Sequence, residues 1–217
     1  MSLAGRVAFI AGASSRFARP TALAVAQAGA DVVLSVDSGG EAAVFAMNSI
    51  ANELWALDRR HLALFIDTSR EDAAAEAVAR GVAELGRIDL LVTLPDSPVR
   101  AIVSLVEAGE SAILDQLRQR LGGVLLLCRA AGAEMLERDG GVILNVVSRD
   151  TRDAPAEALG AAAEAGIEAA TRTLAHEWSG RIAVSVATTR GETEAEQVAT
   201  LAAGLAASHV TGQVFHL

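Results

Sequence analysis

From end to end, the chain alternates between short runs of aliphatic and β-branched residues and longer Ala-rich stretches whose apolar positions follow helical spacing. That alternation constrains the fold more than any other feature. Buried strands separated by amphipathic helices read as βαβ units, and parallel strands need right-handed crossovers that leave helices on the sheet faces. Strands are predicted at Arg6–Ala11, Asp31–Val36, His61–Ile66, Ile88–Thr93, Val142–Val147, Arg181–Ala187 and Gln213–His216. Helices are predicted at Phe17–Ala28, Glu41–Leu57, Glu71–Leu85, Glu107–Arg138, Pro155–Ser179 and Glu192–Ala207. Pro20 fits because it falls in the first turn of its helix, where its missing N–H costs nothing. Gly29 and Gly86 are expected to stop the helices before them. The predicted architecture is α/β: a Rossmann-like, doubly wound parallel sheet of seven strands with helices on both faces. No linker, charge block or internal repeat marks a second domain, so residues 1–217 are expected to form one.

Composition then narrows the chemistry. An apolar fraction of 52% over 217 residues supports a large core and excludes general disorder. The chain has no Tyr, and all 18 of its basic residues are Arg, so no mechanism can use a tyrosine phenol or a lysine amine. A net charge of -9 argues against nucleic acid or an anionic membrane as partner. No apolar run reaches membrane-spanning length and no leader is evident, which points to a cytoplasmic protein. The single cysteine, Cys128, sits in an aliphatic stretch and reads as a buried, inert thiol. The four histidines are scattered without metal-ligand spacing, and no metal site is expected. Trp55 and Trp178, at predicted helix ends, read as packing residues.

Several segments in order are similar to the short-chain dehydrogenase/reductase family. They are Gly5 to Ser15, Gly29 to Leu34, Asp67-Thr68-Ser69, Gly86 to Val92, the run from Gly123 to Gly141, and Val210 to Val214. The resemblance covers nearly the whole chain. It implies an oxidoreductase ancestry and a dinucleotide cradled at the first strand-to-helix turn, where glycines admit the backbone and helix N–H groups face the pyrophosphate. The implied cofactor-binding residues are Gly12, Ser14, Ser15, Arg16, Phe17, Asp37, Asp67 and Thr68. Asp37, ending the second strand, would favour NAD(H) over NADP(H) by accepting from ribose hydroxyls and repelling a 2′-phosphate. Thr68 or Ser69 reads equally well as an N-cap ahead of Glu71.

The departures from the family pattern matter as much as the matches. Where the family has TGxxxGxG, this chain has Ala11-Gly12-Ala13-Ser14-Ser15-Arg16-Phe17-Ala18, keeping only the first glycine. Arg16 either holds an anion through its guanidinium or fills the site, and the lost glycines favour closure. The family's tyrosine and lysine align with Gly160 and Glu164, its asparagine with Arg120, and only its serine, Ser148, is retained. Glu164 reads first as a salt-bridged glutamate, paired with Arg149, Arg152 or Arg120. As the alternative it is an acid raised by an apolar cleft and working with Ser148. The substrate-covering segment near 189–192 is almost absent.

These features lead to a catalytically degenerate dehydrogenase-like protein acting as a non-catalytic subunit or partner. The alternatives are an NAD(P)-dependent oxidoreductase using Ser148 with Glu164, and a dinucleotide-sensing module without turnover. The resemblance further implies a homo-oligomer, or a hetero-oligomer with an active paralogue, formed through the helices near 107–138 and 155–179. The small residues Ala158, Ala161, Ala162, Ala165 and Ala169 would allow close packing there.

Overall fold

The computed structural model describes residues 2–36, 40–94, 105–148, 158–189, 194–208 and 210–217. Its strands are β1 (Val7–Ala11), β2 (Asp31–Val36), β3 (His61–Phe65), β4 (Leu90–Thr93), β5 (Gly141–Ser148), β6 (Ile182–Thr189) and β7 (Val214–His216). Its helices are α1 (Ala18–Gln27), α2 (Gly40–Ala56), α3 (Glu71–Leu85), α4 (Glu110–Leu117), α5 (Gly123–Leu136), α6 (Ala158–Glu177) and α7 (Ala195–Leu205). All seven strands join one parallel sheet in the order β3-β2-β1-β4-β5-β6-β7. This is the predicted Rossmann-like doubly wound sheet.

Helices cover both faces because successive strand residues point to opposite sides. On one face Ala8, Ile10, Val32, Leu34 and Leu144 pack with α1, α2 and α7. On the other, Val7, Phe9, Val33, Leu91 and Ile143 pack with α3 and α5. Buried on both sides, the central strands read as continuous aliphatic runs rather than alternating ones.

Two predicted features change. The single helix over 107–138 is interrupted by a π-helical turn at Arg118–Gly122, which separates α4 from α5. The Gly pair there tolerates the wider turn, and periodicity alone does not reveal it. Trp55 does not pack: it is 77% exposed, whereas Trp178 lies against α5, where a Cβ on Gly132 would stand 2.7 Å from its ring. Gly86 ends α3 in the left-handed conformation, at φ 96°, as expected. The predicted starts of the last two long helices, at Pro155 and Glu192, lie outside the described residues.

The sheet order places β1 beside β4, with crossovers leaving them in opposite directions. Such a switch point opens a crevice at the carboxyl ends of the strands, where open α/β sheets bind ligands.

Candidate functional site

The crevice begins where β1 turns into α1. Gly12 adopts φ +89°, and a Cβ there would lie 2.8 Å from the Leu94 carbonyl oxygen at the end of β4. Its missing side chain lets the β1 and β4 exits touch. Gly12 and Ala13 N–H both donate to the Ser35 carbonyl at 3.0 and 2.8 Å, tying the turn to β2. Ser15 is buried, and its Oγ accepts from Phe17 N–H at 3.5 Å. Ser14 is half-buried. Phe17, 1% exposed, anchors the start of α1 in the core and has no side-chain cap of its own.

Arg16 projects outward from this turn. Its Nη2 donates to Ser148 Oγ at 3.5 Å, and its guanidinium carbon lies 4.7 Å from the centroid of the Phe17 ring. Ser148 closes β5, and β4 stands between β5 and β1. The contact therefore reaches across the mouth of the crevice.

Asp67 follows β3, and its Oδ1 accepts from the N–H and hydroxyl of Ser69 at 3.0 and 2.6 Å. Thr68 and Ser69 are buried beneath Gly123, where a Cβ would lie 3.5 Å from Ser69 Cα. The N-cap position of α3 is Arg70, which makes no side-chain cap bond, rather than Thr68 or Ser69. Asp37 lies outside the described residues, as do Arg149, Arg152 and the chain at 190–193.

On α6, Gly160 is buried and Glu164 half-buried, one turn apart and on the helix that follows Ser148. Glu164 and Arg120 both have partners. One turn further, Glu168 is 9% exposed and pairs with Arg172 at 3.8 Å.

Beneath the crevice lies a buried polar network that the sequence reading did not assign. Thr93 hydroxyl donates to Asn145 Oδ1 at 2.8 Å, and Asn145 Nδ2 donates to Thr171 Oγ1 at 3.0 Å. Cys128 Sγ approaches the same Oδ1 at 3.5 Å. The network joins β4, β5, α5 and α6, with Asn145 three residues before Ser148 on β5 and on the α5–α6 face of the sheet. The one available signal was an asparagine inside an otherwise aliphatic strand, since a buried amide must find partners. Burial pushes the Cys128 thiol up to about 12, opposed by its hydrogen bond to Asn145, and the side chain is buried as expected.

Among the described residues, no group of His, Cys, Asp and Glu could hold a metal ion, and no helix is long and apolar enough to cross a membrane.

A family model described as "short chain dehydrogenase" matches residues 6–203. The chain belongs to the short-chain dehydrogenase family. Among related short-chain dehydrogenases, it is 33% identical to a D-threitol dehydrogenase of Mycolicibacterium smegmatis over 82% of this chain and 66% of that one. It is 31% identical to a 1,6-dihydroxycyclohexa-2,4-diene-1-carboxylate dehydrogenase of Acinetobacter baylyi, over 79% of this chain and 63% of that one. The chain thus spans about two thirds of the length of these relatives, 66% and 63%. Its fold superposes on a putative short-chain dehydrogenase/reductase from Burkholderia xenovorans with TM-score 0.86 at 22% identity, covering 99% of this chain and 95% of that one. A blue fluorescent protein from a metagenomic library, solved in complex with NADPH, matches with TM-score 0.84 at 23% identity, covering 100% of this chain and 98% of that one.

Proposed function

We propose that this member of the family has lost hydride-transfer chemistry and acts as a non-catalytic subunit. The reading rests on α6: the positions that the family resemblance assigns to its proton donor and tuning cation hold Gly160 and Glu164, in a chain with no Tyr and no Lys. Reducing a carbonyl by hydride needs an acid beside the developing alkoxide, a contribution of about 10²–10⁴ in rate. A phenol serves when a neighbouring cation lowers its pKa. Gly160 offers no side chain at all, and Glu164 brings the opposite charge to the lysine position.

The cradle residues fit an intact dinucleotide poorly. The glycine that would admit phosphate is Arg16, and Ala18 occupies the second lost position. If a dinucleotide enters, Asp37 favours NAD over NADP, with Asp67 and Thr68 on the adenine side. Association takes place through α4, α5 and α6, with a second copy or an active paralogue. Ala158, Ala161, Ala162, Ala165 and Ala169 form an exposed small-residue face on α6. A separate recess of about 400 Å³ lies between α5 and α6, where Leu125, Leu174 and Trp178 are flanked by Arg129 and Glu177. The protein works in the cytoplasm as a single domain, without the covering segment near 189–192.

The dehydrogenase names of its relatives favour a second reading, a working enzyme with Ser148 and Glu164 as its altered pair. Assay of the purified protein with NADH and NADPH against a panel of ketones and polyols separates the two. No turnover above background is expected. Turnover that disappears in Glu164→Gln would replace the first reading with the second.

A further inference from the structure

We infer that Arg16 is a built-in occupant of the crevice: anchored at Ser148 and Phe17, its guanidinium bars the path that a dinucleotide would take across the switch point. The inference deepens the non-catalytic reading and rests on it.

β1 and β5 flank β4, so their ends stand roughly 10 Å apart, two strand spacings. The β1–α1 turn carries the helix N-terminus at which a pyrophosphate is held, and a dinucleotide must run from there across the end of β4. Arg16 leaves that turn and meets Ser148 Oγ at 3.5 Å on the far side. Its side chain therefore lies along the ligand's route, not beside it.

The near end is held as well. The guanidinium carbon sits 4.7 Å from the Phe17 ring centroid, and Phe17 is a fixed platform because it is 1% exposed. A cation over an aromatic face is attracted by the ring quadrupole. Gly12 sets the width of the mouth on this side. Its missing side chain already lets the turn stand close to β4, with the Leu94 carbonyl oxygen 2.8 Å from where a Cβ would be.

Electrostatics sets the alternative. A guanidinium at a helix N-terminus adds to the positive end of the dipole, and the pair would attract a free anion. Exclusion and anion capture predict opposite results when Arg16 is removed.

The test compares the wild type with Arg16→Gly, which restores backbone approach, and with Ser148→Ala, which removes only the far anchor. Binding of NADH and of inorganic pyrophosphate is followed by titration calorimetry, with far-UV circular dichroism as a control of fold. The expected result is NADH binding at least about tenfold tighter in Arg16→Gly than in the wild type, with a smaller gain in Ser148→Ala. Pyrophosphate should bind Arg16→Gly no more weakly than the wild type. Equal NADH affinity in wild type and Arg16→Gly would overturn the inference, as would a folded Arg16→Gly that still refuses NADH. So would pyrophosphate binding that is lost with Arg16. Turnover by the wild type would instead sink the non-catalytic reading, whatever the binding comparison gives.

Discussion

Replacing Asn145 by alanine tests whether the polar network beneath the crevice holds β4, β5 and α6 together. Asn145 is 2% exposed and Thr171 0%, so no water replaces what the amide supplies. Two short bonds disappear, the donation from Thr93 at 2.8 Å and the donation to Thr171 at 3.0 Å. Thr93 loses its acceptor in a buried strand, and an orphaned buried group costs about 1–3 kcal/mol. Thr171 suffers less, because a helical threonine can turn its hydroxyl back to the carbonyl one turn earlier. Removing the amide also leaves a small void, worth roughly 1 kcal/mol. The sum is about 3 kcal/mol, which for a chain of this size lowers Tm by roughly 6–12 °C. Urea unfolding monitored by Trp178 fluorescence and far-UV circular dichroism measures it directly. The pair of single variants Asn145→Ala and Thr171→Val, with the double variant, isolates the coupling, expected to be at least about 0.5 kcal/mol. A loss below about 1 kcal/mol in Asn145→Ala, with no coupling to Thr171, would refute the claim that this network organises the site.

Other expectations follow from the same geometry. Gly140→Ala should destabilise by more than about 3 kcal/mol, since φ is +90° and the new Cβ would lie 1.9 Å from the Arg181 carbonyl oxygen, which cannot swing aside. Gly5→Ala, also at positive φ but with nothing within 4 Å, should cost only about 1 kcal/mol, and urea midpoints of the two separate clash from strain. Asp89→Asn should cost about 2–3 kcal/mol in the same assay. The buried carboxylate accepts from Val7 N–H at 2.9 Å and from Arg87 Nη2 at 2.6 Å, while the part-exposed arginines discount the Coulomb share. Cys128 should resist iodoacetamide until the protein unfolds. Its thiol is raised from 9.0 to about 12, so the unfolded chain loses that proton first and stability should fall as pH rises between those values. Cys128→Ala should abolish that part of the alkaline slope.

Much of the fold was legible because its signals are local. β2 and α3 fall at the residues predicted, and β1, β3 and β5 differ only at their ends, since aliphatic runs and terminating glycines act within a few residues of themselves. The π-helical turn at Arg118–Gly122 was not legible, because apolar periodicity continues through it, and the approach of Leu121 on that turn to Gly166 of α6 exists only in the folded chain. Trp55 misled for a related reason: a large aromatic at a helix end predicts burial only when another element stands opposite. At the site, the eroded cradle and the absent phenol and amine were visible in the residues themselves. The reach of Arg16 to Ser148 was not, since it joins positions 132 residues apart and depends on strand order.

That division bears on how, under the non-catalytic reading proposed above, the fold would outlast the chemistry. The core that holds the sheet consists of residues such as Phe9, Ile10, Leu34, Leu91 and Ile143, each buried between layers and none facing the crevice. The residues that would carry hydride transfer sit at strand ends and on one turn of α6, where substitution leaves that packing untouched. Gly12 is the exception, since its lack of a side chain serves the β1–β4 contact whether or not a ligand is held. It is the single glycine of the family's cradle pattern in this chain, where the other two positions hold Arg16 and Ala18. The two requirements can be separated in the bench protein: Gly12→Ala should cost clearly more stability in urea unfolding than Arg16→Gly or Glu164→Gln, each expected to cost no more than about 1 kcal/mol. A Gly12→Ala protein as stable as the wild type would show that the glycine was kept for a ligand instead.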